Sequence, residues 1–212
     1  MAMNNQEYIL GINAQLNGSE AVIAKLNRIN ESVGSTLGKV GSIVSSQVGY
    51  TKSGADIIKV GLKGPNSAKD AIYLMRKVVK TVREYNEDIK IVVAGYADRI
   101  RMESSPEFMS IPTIASESSS DIAMLDTFIK DEKGLFDFLS FEQLIQFKNK
   151  AHEYDLEVAL AGNLRKKNIP LINDISPDII GVRTVVCEGY DRNNGIIKAK
   201  LIEELKTELY KK

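Results

Sequence analysis

The chain is poor in cysteine, histidine and tryptophan, and each shortage closes a class of explanation. Its 212 residues include one cysteine, Cys187, one histidine, His152, and no tryptophan. A single cysteine excludes an intrachain disulfide and fits a reducing compartment. A lone histidine has no companions at ligand spacing, so His152 is expected on a solvent-facing helix without a metal. Charge of either sign is also not in excess: 28 Lys and Arg balance 28 Asp and Glu. A neutral chain with a pI of about 6.6 is a poor partner for nucleic acid or a membrane surface. No apolar run approaches the roughly 20 residues that cross a bilayer. The opening residues MAMNNQEY lack a basic stretch followed by an apolar one, so no secretory signal is expected. A cytoplasmic enzyme of one domain, residues 1–212, is the expected class, with a core drawn from 43% hydrophobic residues.

What is present is an alternation. From residue 55, short β-branched runs are followed by longer segments of helical period. Strands are predicted at 55–62, 89–98, 121–128, 156–164 and 178–186, recurring at about the length of a βαβ unit. Their continuous apolar character suits parallel strands buried on both faces. Ser67 with Asp70 and Ser140 with Gln143 have the spacing of capping boxes. The helices they open carry Ala71, Ile72, Met75, Val78, Val79 and Val82, and Leu144, Ile145, Phe147 and Ala151, on their inner faces. One short helix is expected in the Ser-rich stretch near 115–120, another after Pro170, and a closing helix at 195–211. The first 54 residues are less patterned. Ser19 can cap a helix with Val22, Ile23, Leu26 and Ile29, residues 35–38 can form a short strand, and Ile43, Val44 and Val48 suggest a further helix ending at Gly54. At most six strands are counted.

The residues that carry chemistry sit at strand ends. Lys59 in DIIKVGL (56–62) and Lys130 in DTFIKD (126–131) end such runs, where a βα barrel gathers its functional groups. Asp126 ends its strand four residues before Lys130, and a carboxylate beside an amine can tune it and relay protons. The same residues read structurally as charge balance between Lys59 and Asp126 and a loop ion pair at Lys130. Asp98 follows the small residues Gly95 and Ala97; it either orients a substrate hydroxyl or caps a turn. Gly162, Asn163 and the 181–184 stretch follow the last two strands, where backbone N–H groups bind phosphate in barrels of this kind or make ordinary turns. Arg192 can clamp a phosphate with two hydrogen bonds. Cys187 reads as a small buried hydrophobe. The lysines of the C-terminal stretch alternate with glutamates and read as a solvated helix face.

The runs GADIIKVGL (54–62), VVAGYAD (92–98), DIAMLDTFIKDEKGLFDFL (121–139), ALAGN (159–163) and VVCEGYDR (185–192) closely resemble the (5-formylfuran-3-yl)methyl phosphate synthase family, also called 4-(hydroxymethyl)-2-furancarboxaldehyde-phosphate synthase. The resemblance runs from about residue 7 to the C-terminus. It implies an α/β fold, a TIM-type (β/α) barrel, here with about six of eight strands. It implies an aldolase-type lyase that condenses two molecules of glyceraldehyde 3-phosphate into a phosphorylated furan aldehyde for methanofuran biosynthesis, with no cofactor and a tendency to homo-oligomers. The family's proton-accepting lysine corresponds to Lys59. Its Schiff-base lysine, in a DVKNP motif, corresponds to Met3 when EYILG (7–11) is taken as the anchor. Catalytic roles are thus expected for Lys59, Asp126 and Lys130, and substrate or phosphate contacts for Asp98, Gly162, Asn163 and Arg192. The alternative is a catalytically impaired, N-terminally short relative that binds phosphate sugars or a partner subunit.

Overall fold

Strand β1 (Ile57–Gly61) begins where the sequence turns to IIKVG, and it is the first of five parallel strands that the described residues form. The computed structural model describes residues 54–65 and 67–209. In order they form β1, helix α1 (Ala68–Arg83), β2 (Lys90–Tyr96), α2 (Ile111–Glu117), β3 (Ile122–Asp126), α3 (Phe141–His152), β4 (Glu157–Leu160), α4 (Ile169–Ile175), β5 (Ile179–Ile180) and α5 (Ala199–Leu209). The spatial order of the strands is their chain order, and every pair is parallel. Each crossover therefore needs a connection long enough to return the chain, which the helices supply. The expected strand at 35–38, the helices before residue 54 and Met3 lie outside the described residues, which form an α/β fold of five parallel strands with no closing strand pair among them.

Alternation along the strands divides the sheet into two buried faces. One face presents Ile58, Val60, Ile91, Val93, Leu125, Val158 and Leu160 to the helices, where Met75, Val78 and Val82 of α1 and Leu144 and Phe147 of α3 meet them. Each such large side chain contributes about 1.5–3 kcal/mol on leaving water. The other face carries Val92, Ala94, Ile122, Met124, Ala159, Ala161 and Ile179, with Ile57 packed against them. By the same parity Lys59, Tyr96 and Asp126 belong to this second face. At its opposite, N-terminal end, Lys90 and Glu157 pair at 2.7 Å.

The helix starts follow the sequence with one difference. At α3, Ser140 Oγ accepts from Gln143 N at 3.2 Å while Ser140 N donates to Gln143 Oε1 at 2.9 Å, a complete capping box. At α1, Ser67 Oγ accepts from Asp70 N at 3.1 Å, but the Asp70 carboxylate takes the Ser67 hydroxyl at 2.7 Å and leaves the Ser67 amide alone. Aspartate is one methylene shorter than glutamate and stops at the hydroxyl. Pro112 and Pro170 occupy the first turns of α2 and α4, where the missing N–H costs nothing.

The strand predicted at 178–186 is corrected. Only Ile179 and Ile180 pair with β4, and Thr184–Val186 form a 3₁₀ turn. Val185 and Val186 bury themselves against Ile169 and Leu205 of the helical layer, so an apolar run that looked like strand serves a separate small core. Cys187 is fully buried there, in keeping with its reading as a hydrophobe.

Candidate active site

Asp126 ends β3 on the second face of the sheet and is only 8% exposed. Its two oxygens divide their work. Oδ2 accepts from Lys59 Nζ at 2.6 Å. Oδ1 accepts from Lys130 Nζ at 2.9 Å and from the Thr127 amide at 2.7 Å. Lys130 Nζ also donates to the Thr127 carbonyl, which folds its stem back over the strand end. Burial alone would push the Asp126 carboxyl up, but the two ammonium groups and their hydrogen bonds outweigh it and hold the group below its ordinary value. Two ammoniums and one carboxylate leave the cluster one positive charge in excess.

Lys59 reaches this point by length. In register it is level with Val92 and Ile122, whereas Asp126 is level with Tyr96, further along the sheet. The four-carbon stem makes up the offset. Its side chain is 40% exposed, so the amine keeps contact with water. What fixes Lys59 is its partner.

Tyr96 stands beside Asp126 at the end of β2. Its ring meets Phe128 edge-on, with centroids 5.3 Å apart, and Lys63 Nζ lies 4.4 Å above the Phe128 ring. The phenol leans over Gly61: a Cβ there would fall 2.0 Å from the Tyr96 hydroxyl. Burial, then the nearby Asp126 and Asp98 carboxylates, push the phenol up to about 12.

Asp98 is fully buried and turns inward to the protein's own backbone. Its Oδ1 accepts from the Phe128 amide at 2.6 Å and its Oδ2 from the Ile129 amide at 2.9 Å, so it pins the start of the loop that carries Lys130. The far side of that loop is held from β4. Asn163 Nδ2 donates to the Glu132 carbonyl at 3.0 Å, Arg165 donates to the same carbonyl, and the Leu135 amide donates to the Gly162 carbonyl at 2.8 Å. Gly162 has φ +104, and a Cβ on it would press against the Thr127 amide at 3.0 Å, so glycine is required by conformation and by proximity. Arg101 completes the frame through Asp131 at 2.7 Å.

The structure thus brings together Lys59, Asp126 and Lys130, with Asp98, Gly162 and Asn163 built into the adjoining loop. Arg192 lies in the turn after the Glu188–Tyr190 3₁₀ segment, and among the described residues no hydrogen bond or ion pair ties it to the cluster. His152 pairs with Asp178 at 2.8 Å on the surface. Tyr96 and Lys63 were missed as members of the site. The signal for Tyr96 was its phase: it falls in step with Val92 and Ala94, on the face that Lys59 and Asp126 share. Among the described residues no helix is long and apolar enough to cross a membrane.

Comparison with known proteins places this geometry in a lineage. The profile of 4-HFC-P synthase matches residues 5–206. A (5-formylfuran-3-yl)methyl phosphate synthase of Methanopyrus kandleri is 42% identical over 184 residues, covering 87% of this chain and 77% of its own. One of the same name from Methanocaldococcus jannaschii is 46% identical over 178 residues, covering 84% and 75%. Among solved structures, a type I 3-dehydroquinate dehydratase from Clostridium difficile aligns over 80% of this chain and 60% of that one, at 12% identity and a TM-score of 0.48. With a family profile spanning nearly its whole length, and curated relatives above 40% identity, the chain belongs to the 4-HFC-P synthase family, whose curated members are named (5-formylfuran-3-yl)methyl phosphate synthase.

Proposed function

We propose that this chain condenses two molecules of glyceraldehyde 3-phosphate into a phosphorylated furan aldehyde for methanofuran biosynthesis, with loss of phosphate and water. The observation that carries the reading is the single Asp126 carboxylate taking Lys59 on one oxygen and Lys130 on the other. Making a carbon–carbon bond between two aldehydes needs a group that removes a proton beside a carbonyl, and an amine at a strand end is such a group. Lys59 is the proton acceptor. Asp126 aims it and returns the proton balance, and Lys130 supplies the second charge. The excess positive charge suits a substrate bearing phosphate, because opposite charges in a partly buried cleft attract with little screening.

Phosphate sits beside Gly162, whose backbone packs on Thr127 next to Asp126. The guanidinium of Arg192, with no hydrogen bond or ion pair among the described residues, is a second phosphate contact. Asp98 and Asn163 act through the loop they hold.

Incubation with glyceraldehyde 3-phosphate, followed by absorbance of the furan aldehyde and assay of released phosphate, tests the reading. Lys59→Met is expected to lower product formation by about 10²–10⁴-fold, the usual worth of a positioned proton acceptor. A wild-type protein that forms no furan, or a Lys59→Met protein that forms it at the normal rate, refutes it.

A further inference from the structure

Among the described residues no polar group accounts for the hydroxyl of Tyr96. The ring lies edge-on to Phe128, as a phenylalanine would, and the hydroxyl is the atom that rests nearest Gly61, where it packs but finds no polar partner among the described residues. The hydroxyl makes no hydrogen bond among the described residues, although it stands on the face of the sheet that carries Lys59 and Asp126. Asp126 does not draw it in, because both carboxylate oxygens already receive Lys59, Lys130 and the Thr127 amide. A donor on a ring held by Phe128, over a glycine that leaves it room and without a partner among the described residues, can receive a ligand.

We propose that Tyr96 is a further catalytic residue, whose phenolic O–H donates a hydrogen bond to the substrate oxygen that gains negative charge in the enolisation preceding carbon–carbon bond formation. The inference rests on the reaction proposed above. In the step concerned, Lys59 has first given its ammonium proton to solvent, and as the neutral amine it takes the proton from the carbon beside the carbonyl and becomes ammonium again. The C–H electron pair becomes the new C=C bond, and the carbonyl π pair moves onto oxygen. Tyr96 donates to that oxygen without giving up its proton. Burial and the carboxylates of Asp126 and Asp98 keep the phenol protonated across the working pH range, so it serves as donor and never as base. A fixed donor aimed at a developing oxyanion lowers the barrier more than it tightens ground-state binding.

The test compares wild type, Tyr96→Phe, Gly61→Ala and the double variant in furan formation from glyceraldehyde 3-phosphate. Tyr96→Phe keeps the ring and is expected to lower kcat by about 100-fold with KM within about threefold, as for loss of one oxyanion donor. Gly61→Ala leaves the phenol in the chain but displaces its hydroxyl, since the new Cβ falls 2.0 Å from it. It is expected to reproduce the kcat loss, and the double variant to be no slower than Tyr96→Phe, because both changes remove one interaction. A fluorinated tyrosine at position 96, the same shape with a more acidic hydroxyl, is expected to retain activity. A Tyr96→Phe protein with undiminished kcat, or one impaired in KM alone, overturns this inference while leaving the proposed reaction in place. So do losses that multiply in the double variant. A wild-type protein that makes no furan removes both.

Discussion

Replacing Asp126 by asparagine asks whether one carboxylate sets both amines. The substitution keeps the shape and exchanges one acceptor oxygen for an NH₂. The amide oxygen can still receive the Thr127 amide and one lysine, as Oδ1 does now at 2.7 Å and 2.9 Å. The NH₂ group then faces the Lys59 ammonium, donor against donor, where a 2.6 Å bond stood. Loss of one charge-assisted hydrogen bond is worth about 1.5–3 kcal/mol. A fully buried pair broken on one side costs about 3–5 kcal/mol, but the two lysine side chains are 40% and 41% exposed and can regain water. The expected destabilisation is therefore about 1–3 kcal/mol by urea unfolding. Activity is expected to fall further than stability, by about 10²-fold or more in kcat/KM, because a reacting amine displaced by about 1 Å forfeits that much. An Asp126→Asn protein unchanged in unfolding midpoint and within about threefold of normal kcat/KM would refute the claim that Asp126 positions the lysines.

Asp98→Ala strips the acceptors from two backbone amides, at Phe128 and Ile129, in a fully buried setting. About 2–5 kcal/mol of stability is expected to go, with faster hydrogen exchange at both amides, and a loss below about 1 kcal/mol would show that water replaces the carboxylate without penalty. Acid is expected to act through Asp126. Its carboxyl is held below the ordinary 3.8 in the folded chain. It therefore contributes stability above the unfolded value that disappears as pH falls through the lower folded one. The Tm difference between wild type and Asp126→Asn should thus shrink below a pH of about 4, and a constant difference down to pH 2 would contradict the assignment.

Local chemistry was legible in the sequence, and distance was not. β-Branched runs announced β1 to β4, and Ser140 with Gln143 announced α3, because these depend on neighbours in the chain. The run at 184–186 misled because a short apolar stretch is equally good strand or buried turn, and only Ile169 and Leu205 decide which. Lys59 and Asp126 could be singled out as strand-end charges, but their contact spans 67 residues and a register offset that no spacing encodes. Asp98 and Asn163 showed themselves as polar groups past strand ends. Which carbonyls and amides they meet is settled by the path of the 127–134 loop, and that path is set by packing against β4. Tyr96 stands in the sequence between the small residues Gly95 and Ala97, with nothing beside it to mark its place. Its importance follows from Gly61, a glycine on the neighbouring strand.

Apart from the Arg101–Asp131 ion pair, the bonds that secure the 127–134 loop from outside end on main-chain atoms: amides at Phe128 and Ile129, carbonyls at Asp131 and Glu132. Main-chain atoms are the same whatever residue bears them. The letters at 129, 132 and 133 can accordingly drift, or be randomised in a library, while Lys130 keeps its address above Asp126. A rim that can be rewritten around a fixed amine is where a search for altered aldehyde preference should begin.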